Sequence, residues 1–159
     1  MPNNLLLEKI ISGGQTGADT AALDWAIANG LQHGGWCPKG RKCEGGKIDP
    51  KYQLIETVSS GYLERTERNV IESDATIIFT LSDKLAGGSL RTEEFARRHG
   101  KPCMHFRPGV ARKLIRSLVM RHQVLTLNVA GSRASTAAGI EWFVSNSLID
   151  LCEAATPGP

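Results

Sequence analysis

Cysteine is sparse and follows no pattern. Cys37, Cys43, Cys103 and Cys152 stand far apart with no C-x-x-C spacing, which argues against a zinc knuckle, a redox dithiol and a disulfide scaffold. The four are expected to be reduced thiols. Aromatic residues make up only 6% of the chain, too few to interleave with basic residues as single-stranded nucleic-acid binders require. No apolar run approaches the roughly 20 residues a membrane helix needs. The opening Met-Pro-Asn-Asn-Leu-Leu-Leu-Glu has no basic region and no small-residue cleavage site, so a cytoplasmic protein without membrane or nucleic-acid partners is expected. There is no Gly-Lys-Ser/Thr loop, no G-x-G-x-x-G, no nucleophile elbow and no Ser-His-Asp order. His33, His99, His105 and His122 show no ligand spacing, and no metal site is expected.

What is present fits one globular domain over residues 1–159, with a frayed tail at 154–159. The chain is 41% hydrophobic and 22% charged, ordinary values for a soluble fold. At this length it should bury roughly 70% of its unfolded surface and hold a core unaided. The net charge of +3 is uneven: from Arg91 to Arg133 ten Lys/Arg face only Glu93 and Glu94. A biased segment of this kind either attracts phosphates or forms a solvated basic face on surface helices.

Periodicity predicts alternating strands and helices. A strand over 8–12 enters Gly13-Gly14-Gln15-Thr16-Gly17, and Ala18, Ala21, Ala22, Trp25 and Ala28 form the stripe of an amphipathic helix ended by Asn29-Gly30. A brief strand at 35–37 precedes a long irregular loop through 40–46. Helices are predicted over 66–73, 92–99, 110–121 and 139–152, and strands over 75–81, 101–106 and 124–130. Alternation throughout implies an α/β fold: a Rossmann-like three-layer sandwich with a mostly parallel sheet of about five strands. Ligands of such folds sit at the carboxyl ends of the strands.

Three glycine-bearing turns (13–17, 87–89 and 131–135) each follow a strand and so share that edge. A glycine turn opening a helix exposes amides and the positive end of the helix dipole, which suits a phosphate. Gly13, Gly14 and Gly17 permit close approach, and Gln15 and Thr16 add donors. Gly87, Gly88 and Ser89 are followed by Arg91 and Thr92, a guanidinium suited to bidentate phosphate contact. The third turn offers Ser132, Arg133 and Ser135. Asp19 sits where an acid complements a helix dipole. These residues suggest a binding site before an enzyme, with an anionic ligand.

The motifs are also recognisable together. Ile11-Ser12-Gly13-Gly14-Gln15-Thr16-Gly17-Ala18-Asp19, Gly35-Trp36-Cys37-Pro38-Lys39-Gly40-Arg41, Arg65-Thr66-Glu67-Arg68-Asn69-Val70, Gly87-Gly88-Ser89 and Leu127-Asn128-Val129-Ala130-Gly131 resemble, in order along nearly the whole chain, the molybdenum cofactor carrier protein family. The resemblance implies a Rossmann-like fold, a homo-oligomer (dimer or tetramer), and binding of the molybdenum cofactor (molybdopterin), a pterin with a terminal phosphate and a metal-bearing dithiolene. It puts the phosphate near Gly13–Gly17, with Gly87, Gly88 and Ser89 facing it and Ser132, Arg133 and Ser135 beside the pterin or molybdate end. Recipients would be molybdoenzymes or cofactor-synthesis proteins. The chain departs from the pattern at Ser132 and Ala138, where proline is expected, and at Arg68, where an aromatic is usual.

The wider superfamily includes nucleoside monophosphate phosphoribohydrolases. Arg65, nine residues before Asp74, and Glu94, two after Thr92, resemble their phosphate-anchoring arginine and catalytic glutamate. That gives an alternative reading as a nucleotide-cleaving enzyme or a nucleotide-binding sensor, with a nucleoside monophosphate as ligand. The turn here has Leu90-Arg91 before the threonine and lacks their proline.

Overall fold

A computed structural model describes residues 5–153; the tail predicted at 154–159 lies outside them. β1 (Lys9–Ile11) enters the first glycine turn, and α1 (Ala18–Ala28) begins directly after Gly17. Its stripe of Ala18, Ala21, Ala22 and Trp25 is buried, so the helix is held by that face rather than by propensity alone. β2 (Gln32–Gly34) returns parallel to β1. The chain then leaves the sheet edge at Gly35 for β3 (Trp36–Cys37). β4 (Lys42–Cys43) and β5 (Gly46–Lys47) pair antiparallel, so the loop expected to be irregular carries a small hairpin with Glu44 and Gly45 at its tip. β6 (Ile55–Glu56) pairs parallel with β3. There follow α2 (Tyr62–Glu72), β7 (Ala75–Phe79), α3 (Gly87–Arg98), β8 (Cys103–Phe106), α4 (Lys113–Arg121), β9 (Thr126–Gly131), α5 (Ile140–Leu148) and the short α6 (Asp150–Glu153).

The main sheet has five strands in the order β2-β1-β9-β7-β8, and every pairing is parallel. β7 is buried along its whole length, as a strand covered on both faces must be. One face carries α1, α4 and α5, whose Ala22, Ile115, Val119, Ile140 and Val144 join Ile10, Ile77, Phe79, Leu127 and Val129 in one apolar cluster. Strand alternation turns Ile11 and Ile78 the other way. On that side α2 and α3 lie against each other, with Val70, Phe95 and Ala96 in a separate cluster. The result is the three-layer α/β architecture, with the core thickest on the α1/α5 side.

Three element boundaries differ from expectation, and the causes are local. α3 starts at Gly87 rather than 92, because the Gly-Gly pair that weakens helix propensity by about 1 kcal/mol per residue is nevertheless wound into the first turn. There Thr92 Oγ1 donates to the Gly88 carbonyl at 2.9 Å. α2 starts at Tyr62 rather than 66, its entry fixed by Glu64 accepting the Val58 amide at 3.2 Å. β2 went unread because Gln-His-Gly has no apolar signal; the register Lys9↔Gln32 and Ile11↔Gly34 holds it at the edge.

At the carboxyl end of β7 the Phe79 ring sits edge-on to Phe106 (5.5 Å) and Phe143 (6.2 Å), which stack on each other at 5.6 Å. This trio ties β7, β8 and α5 together directly beneath the edge where the turns meet. Phe79→Ala removes a fully buried ring and is expected to cost about 3–5 kcal/mol, read as a lowered urea midpoint with an unchanged slope.

Candidate functional site

Between β9 and β7 the strand order reverses, the place where open parallel sheets form a crevice at their carboxyl ends. Here it holds a cavity of about 970 Å³, at the upper end of the usual range for small-molecule sites. The three turns meet around it. Its wall takes Gly13, Gln15 and Asp19 from the first, Gly87, Gly88, Ser89, Arg91 and Thr92 from the second, and Ser132, Arg133 and Ser135 from the third. Tyr62, Arg65 and Asn69 from α2 and Lys84 from the β7–α3 loop complete it. Gly14, Thr16, Gly17 and Glu94 are not on that wall.

The first turn is filled by its own side chains. Asp19, buried in the first turn of α1, accepts the Gln15 amide on Oδ2 at 3.1 Å. The Thr16 amide donates to Gln15 Oε1 at 3.1 Å, and the Ala18 amide to the Ser132 carbonyl at 3.1 Å. Within the turn expected to hold a phosphate, the Gln15 and Thr16 amides are therefore engaged by side chains, with Asp19 standing where the α1 dipole favours an acid. Burial outweighs the Arg65 guanidinium and the amides of Gln15 and Gly13, and it raises the Asp19 carboxyl above its ordinary 3.8.

Arg65 crosses from α2 to donate Nη1 to the Gly13 carbonyl at 2.7 Å. A Cβ at position 13 would lie 2.4 Å from that Nη1, so the close approach needs glycine. Its guanidinium lies over the Tyr62 ring at 5.0 Å, with Lys42 at 4.8 Å and Arg133 at 5.3 Å from the same ring. Among the described residues none of these three cations has a carboxylate partner within ion-pair distance, and neither does Lys84. The aromatic face takes part of their charge; the rest makes the cavity positive.

The first and third turns touch at Gly17. Its φ is +88°, and a Cβ there would stand 2.4 Å from the Ser132 carbonyl oxygen and 2.7 Å from the Ala134 amide nitrogen. Ser132, where the resembling family has proline, donates its amide to the Phe79 carbonyl at 3.0 Å, a bond that proline could not make. Thr16 braces the contact: Oγ1 accepts the Ala134 amide at 3.3 Å and donates to Glu44 on the hairpin tip. Glu44 also takes Ser135 Oγ at 2.6 Å and the Ser135 amide at 3.2 Å.

The second turn is built the opposite way. α3 begins at Gly87 with no side-chain cap and no acid in its first turn. A Cβ added at Gly87 or Gly88 would meet nothing within 4 Å. The helix start thus opens on the cavity with its first amides free of side-chain partners, beside Lys84, Ser89 and Arg91. One buried donor elsewhere on the wall is also unmatched: Gln15 Nε2, on a side chain 5% exposed, has no partner among the described residues. Buried donors are rarely left so unless something else completes them.

Residues 10–152 match the model of the circularly permutated YpsA SLOG family. The chain belongs to that family. A crystal structure of a "Putative molybdenum carrier protein" from Syntrophus aciditrophicus SB is similar over 92% of this chain and 94% of that one, with 44% identity and a TM-score of 0.86. An (E)-4-hydroxy-3-methyl-but-2-enyl diphosphate reductase aligns over 91% of this chain and 59% of that one at 12% identity and a TM-score of 0.41, a likeness that carries no argument. No curated protein matches. The permutation is visible in the sheet: if β9 is counted first, followed by β1, β2, β7 and β8, the observed order becomes 3-2-1-4-5, the doubly wound arrangement with its first strand central.

The two residues of the alternative enzymatic reading are placed differently in the fold. Arg65 is on the wall, but Glu94 is off it and pairs with Arg91 at 3.1 Å. With Arg91, half of the ten cations of the basic run are paired: Arg97 with Glu93, Arg98 with Glu67, Arg107 with Asp83 and Arg112 with Asp150. Exposed pairs of this kind add little stability; of the segment's cations, Arg91 and Arg133 line the cavity. Arg68, where an aromatic was expected, lays its guanidinium 4.6 Å over Trp36, supplying a flat group of its own. Residues that sequence reasoning missed are Tyr62, Asn69, Lys84 and Glu44. Only Lys84, just before a glycine turn, carried a local signal.

The proton on Asp19 has a consequence for stability. Its folded value lies above the unfolded one, so the folded state binds the proton more tightly and stability falls as pH rises from about 3.8 through the raised value. Asp19→Asn is expected to be the more stable protein at neutral pH, with the advantage shrinking toward pH 4. Urea midpoints across that range measure it, and a pH-independent difference would sink the argument.

Proposed function

We propose that this protein binds, protects and carries the molybdenum cofactor, holding its terminal phosphate at the start of α3 and its pterin across the crevice between β9 and β7. The observation that carries the reading is the uncapped, acid-free N-terminus of α3 opening on a cationic cavity. Free amides, the helix dipole, Lys84 and Arg91 together make an anion site. The molybdenum-carrier name of the 44% identical structure supports the choice of ligand. The unmatched Gln15 Nε2 and the buried Asp19 offer a donor and an acceptor of the kind a pterin edge requires. In this reading the phosphate sits at Gly87, Gly88 and Ser89 rather than at Gly13–Gly17, where the Gln15 and Thr16 amides already have side-chain acceptors.

A carrier needs no chemical step. The cavity supplies preorganised donors and charge, and enclosure limits access of water and oxidant to the bound pterin. In this reading the protein acts in the cytoplasm as a homo-oligomer and hands its cargo to molybdoenzymes or to proteins of cofactor synthesis.

Gly88→Asp separates the site from the fold. The position has room for a side chain, and an acid in the first turn of a helix stabilises it by about 0.3–1 kcal/mol, yet the new carboxylate would stand where the phosphate binds. Gel filtration with free molybdenum cofactor, read by pterin fluorescence after oxidation, is expected to show pterin travelling with the wild type and lost by at least tenfold from Gly88→Asp at an undiminished melting temperature. Pterin eluting apart from the wild type, or retained equally by the variant, would overturn the reading.

A further inference from the structure

The hairpin tip brings a carboxylate onto donors at the edge of the cavity, away from the start of α3. Glu44 accepts the Thr16 hydroxyl, the Ser135 hydroxyl at 2.6 Å and the Ser135 amide at 3.2 Å, while its own amide donates to Gln15 Oε1 at 2.9 Å. For a side chain in the open this is an unusual number of partners; exposed carboxylates generally gain little from fixed contacts. Two hydroxyls, an amide and a nearby guanidinium are the donors that phosphate and other tetrahedral oxyanions take. The Ser135 and Thr16 hydroxyls, with Arg133 behind them, hold the Glu44 carboxyl below its ordinary 4.5. The Gln15 that anchors the Glu44 amide is the same residue whose buried Nε2 is unmatched.

Topology points to the same spot. With β9 counted as the first strand, the β9–α5 turn that bears Arg133 and Ser135 becomes the first βα turn, where doubly wound folds bind phosphate. We propose that Thr16, Arg133 and Ser135 form a second oxyanion subsite on the rim of the cavity, filled here by the chain's own Glu44, and that an oxyanion of the ligand displaces Glu44 and lets the hairpin open. This deepens the carrier reading and rests on it for the identity of the cargo: a ligand with a second oxyanion besides the phosphate held at α3.

The hairpin is built to release. Its base is clamped by Arg41, which donates to the carbonyls of Asp49 (2.8 Å) and Tyr52 (2.9 Å). Its tip is held across the rim through Glu44. Displacing that carboxylate leaves Lys42 and Arg133, both over the Tyr62 ring, without its charge and facing the incoming anion. Glu44 is an internal competitor that any weaker anion must outbid.

The probe is inorganic phosphate, followed by calorimetry in proteins that also carry Gly88→Asp, so that the α3 site is closed. Glu44→Ala is expected to tighten phosphate binding about tenfold, the worth of one charge-assisted hydrogen bond removed from competition. Ser135→Ala added to it should reverse the gain. In the wild type, saturating phosphate should speed amide exchange over residues 42–47 and leave Arg41 and Tyr52 unchanged. Equal phosphate affinity with and without Glu44, or exchange at 42–47 unmoved by phosphate, overturns the subsite. Either result is distinct from failure of the carrier reading, which shows as pterin eluting apart from the wild type whatever stands at position 44.

Discussion

Arg65 reaching the Gly13 carbonyl, with Asp19 buried just beyond, settles how the carboxyl edge is used. The guanidinium needs an acceptor at that depth, and the strand end supplies one only because position 13 has no Cβ. Asp19 in turn takes the Gln15 amide. The turn that looks most like an anion cradle becomes a wall whose Gln15 and Thr16 amides are taken by its own side chains. An unpaired buried charge is costly, so removing the arginine deprives the aspartate of the neighbour that most favours its ionised form. The two neighbouring turns depend on the wall: Gly17 presses against Ser132 and Ala134, and Thr16 holds the Ala134 amide.

Charge is then divided between wall and opening. The wall holds one carboxylate, protonated more readily than usual. The opening holds Arg65, Arg133, Lys42 and Lys84 without carboxylate partners among the described residues. Tyr62 makes this tolerable, since its ring faces three of the cations and a quadrupole attracts positive charge without neutralising it. The outcome is a field that draws anions while leaving the cations free to bind them.

Much of this was legible in the residues. The stripe from Ala18 to Trp25 marks α1 to its ends, the alternation of elements gives the parallel sheet, and the three glycine turns fall on one edge as their places after strands require. What was not legible depends on partners distant in sequence. Gly13 reads as phosphate-friendly until Arg65, 52 residues away, is seen against it. Asp19 reads as a surface cap until burial is known. Two-residue strands such as Lys42–Cys43 have no periodicity to detect, and the role of Glu44 comes entirely from Thr16 and Ser135 across the fold. Glu94 is the opposite case: its motif spacing is suggestive, while the helix sets it off the cavity wall against Arg91.

The permuted strand order also governs when the protein can exist at all. β9 lies between β1 and β7, yet it is made after every other strand. Until it emerges from the ribosome, β1–β2 and β7–β8 are two separate pairs with no shared hydrogen bonds, and the edges that will flank β9 stay open. Closing the gap joins residues more than 100 positions apart, the kind of long-range pairing that makes folding slow. From the completion of β7 until β9 emerges the nascent chain therefore carries two uncovered strand edges, a condition that favours aggregation unless chaperones shield them. Insertion of a single six-residue strand then completes sheet, crevice and third turn in one step.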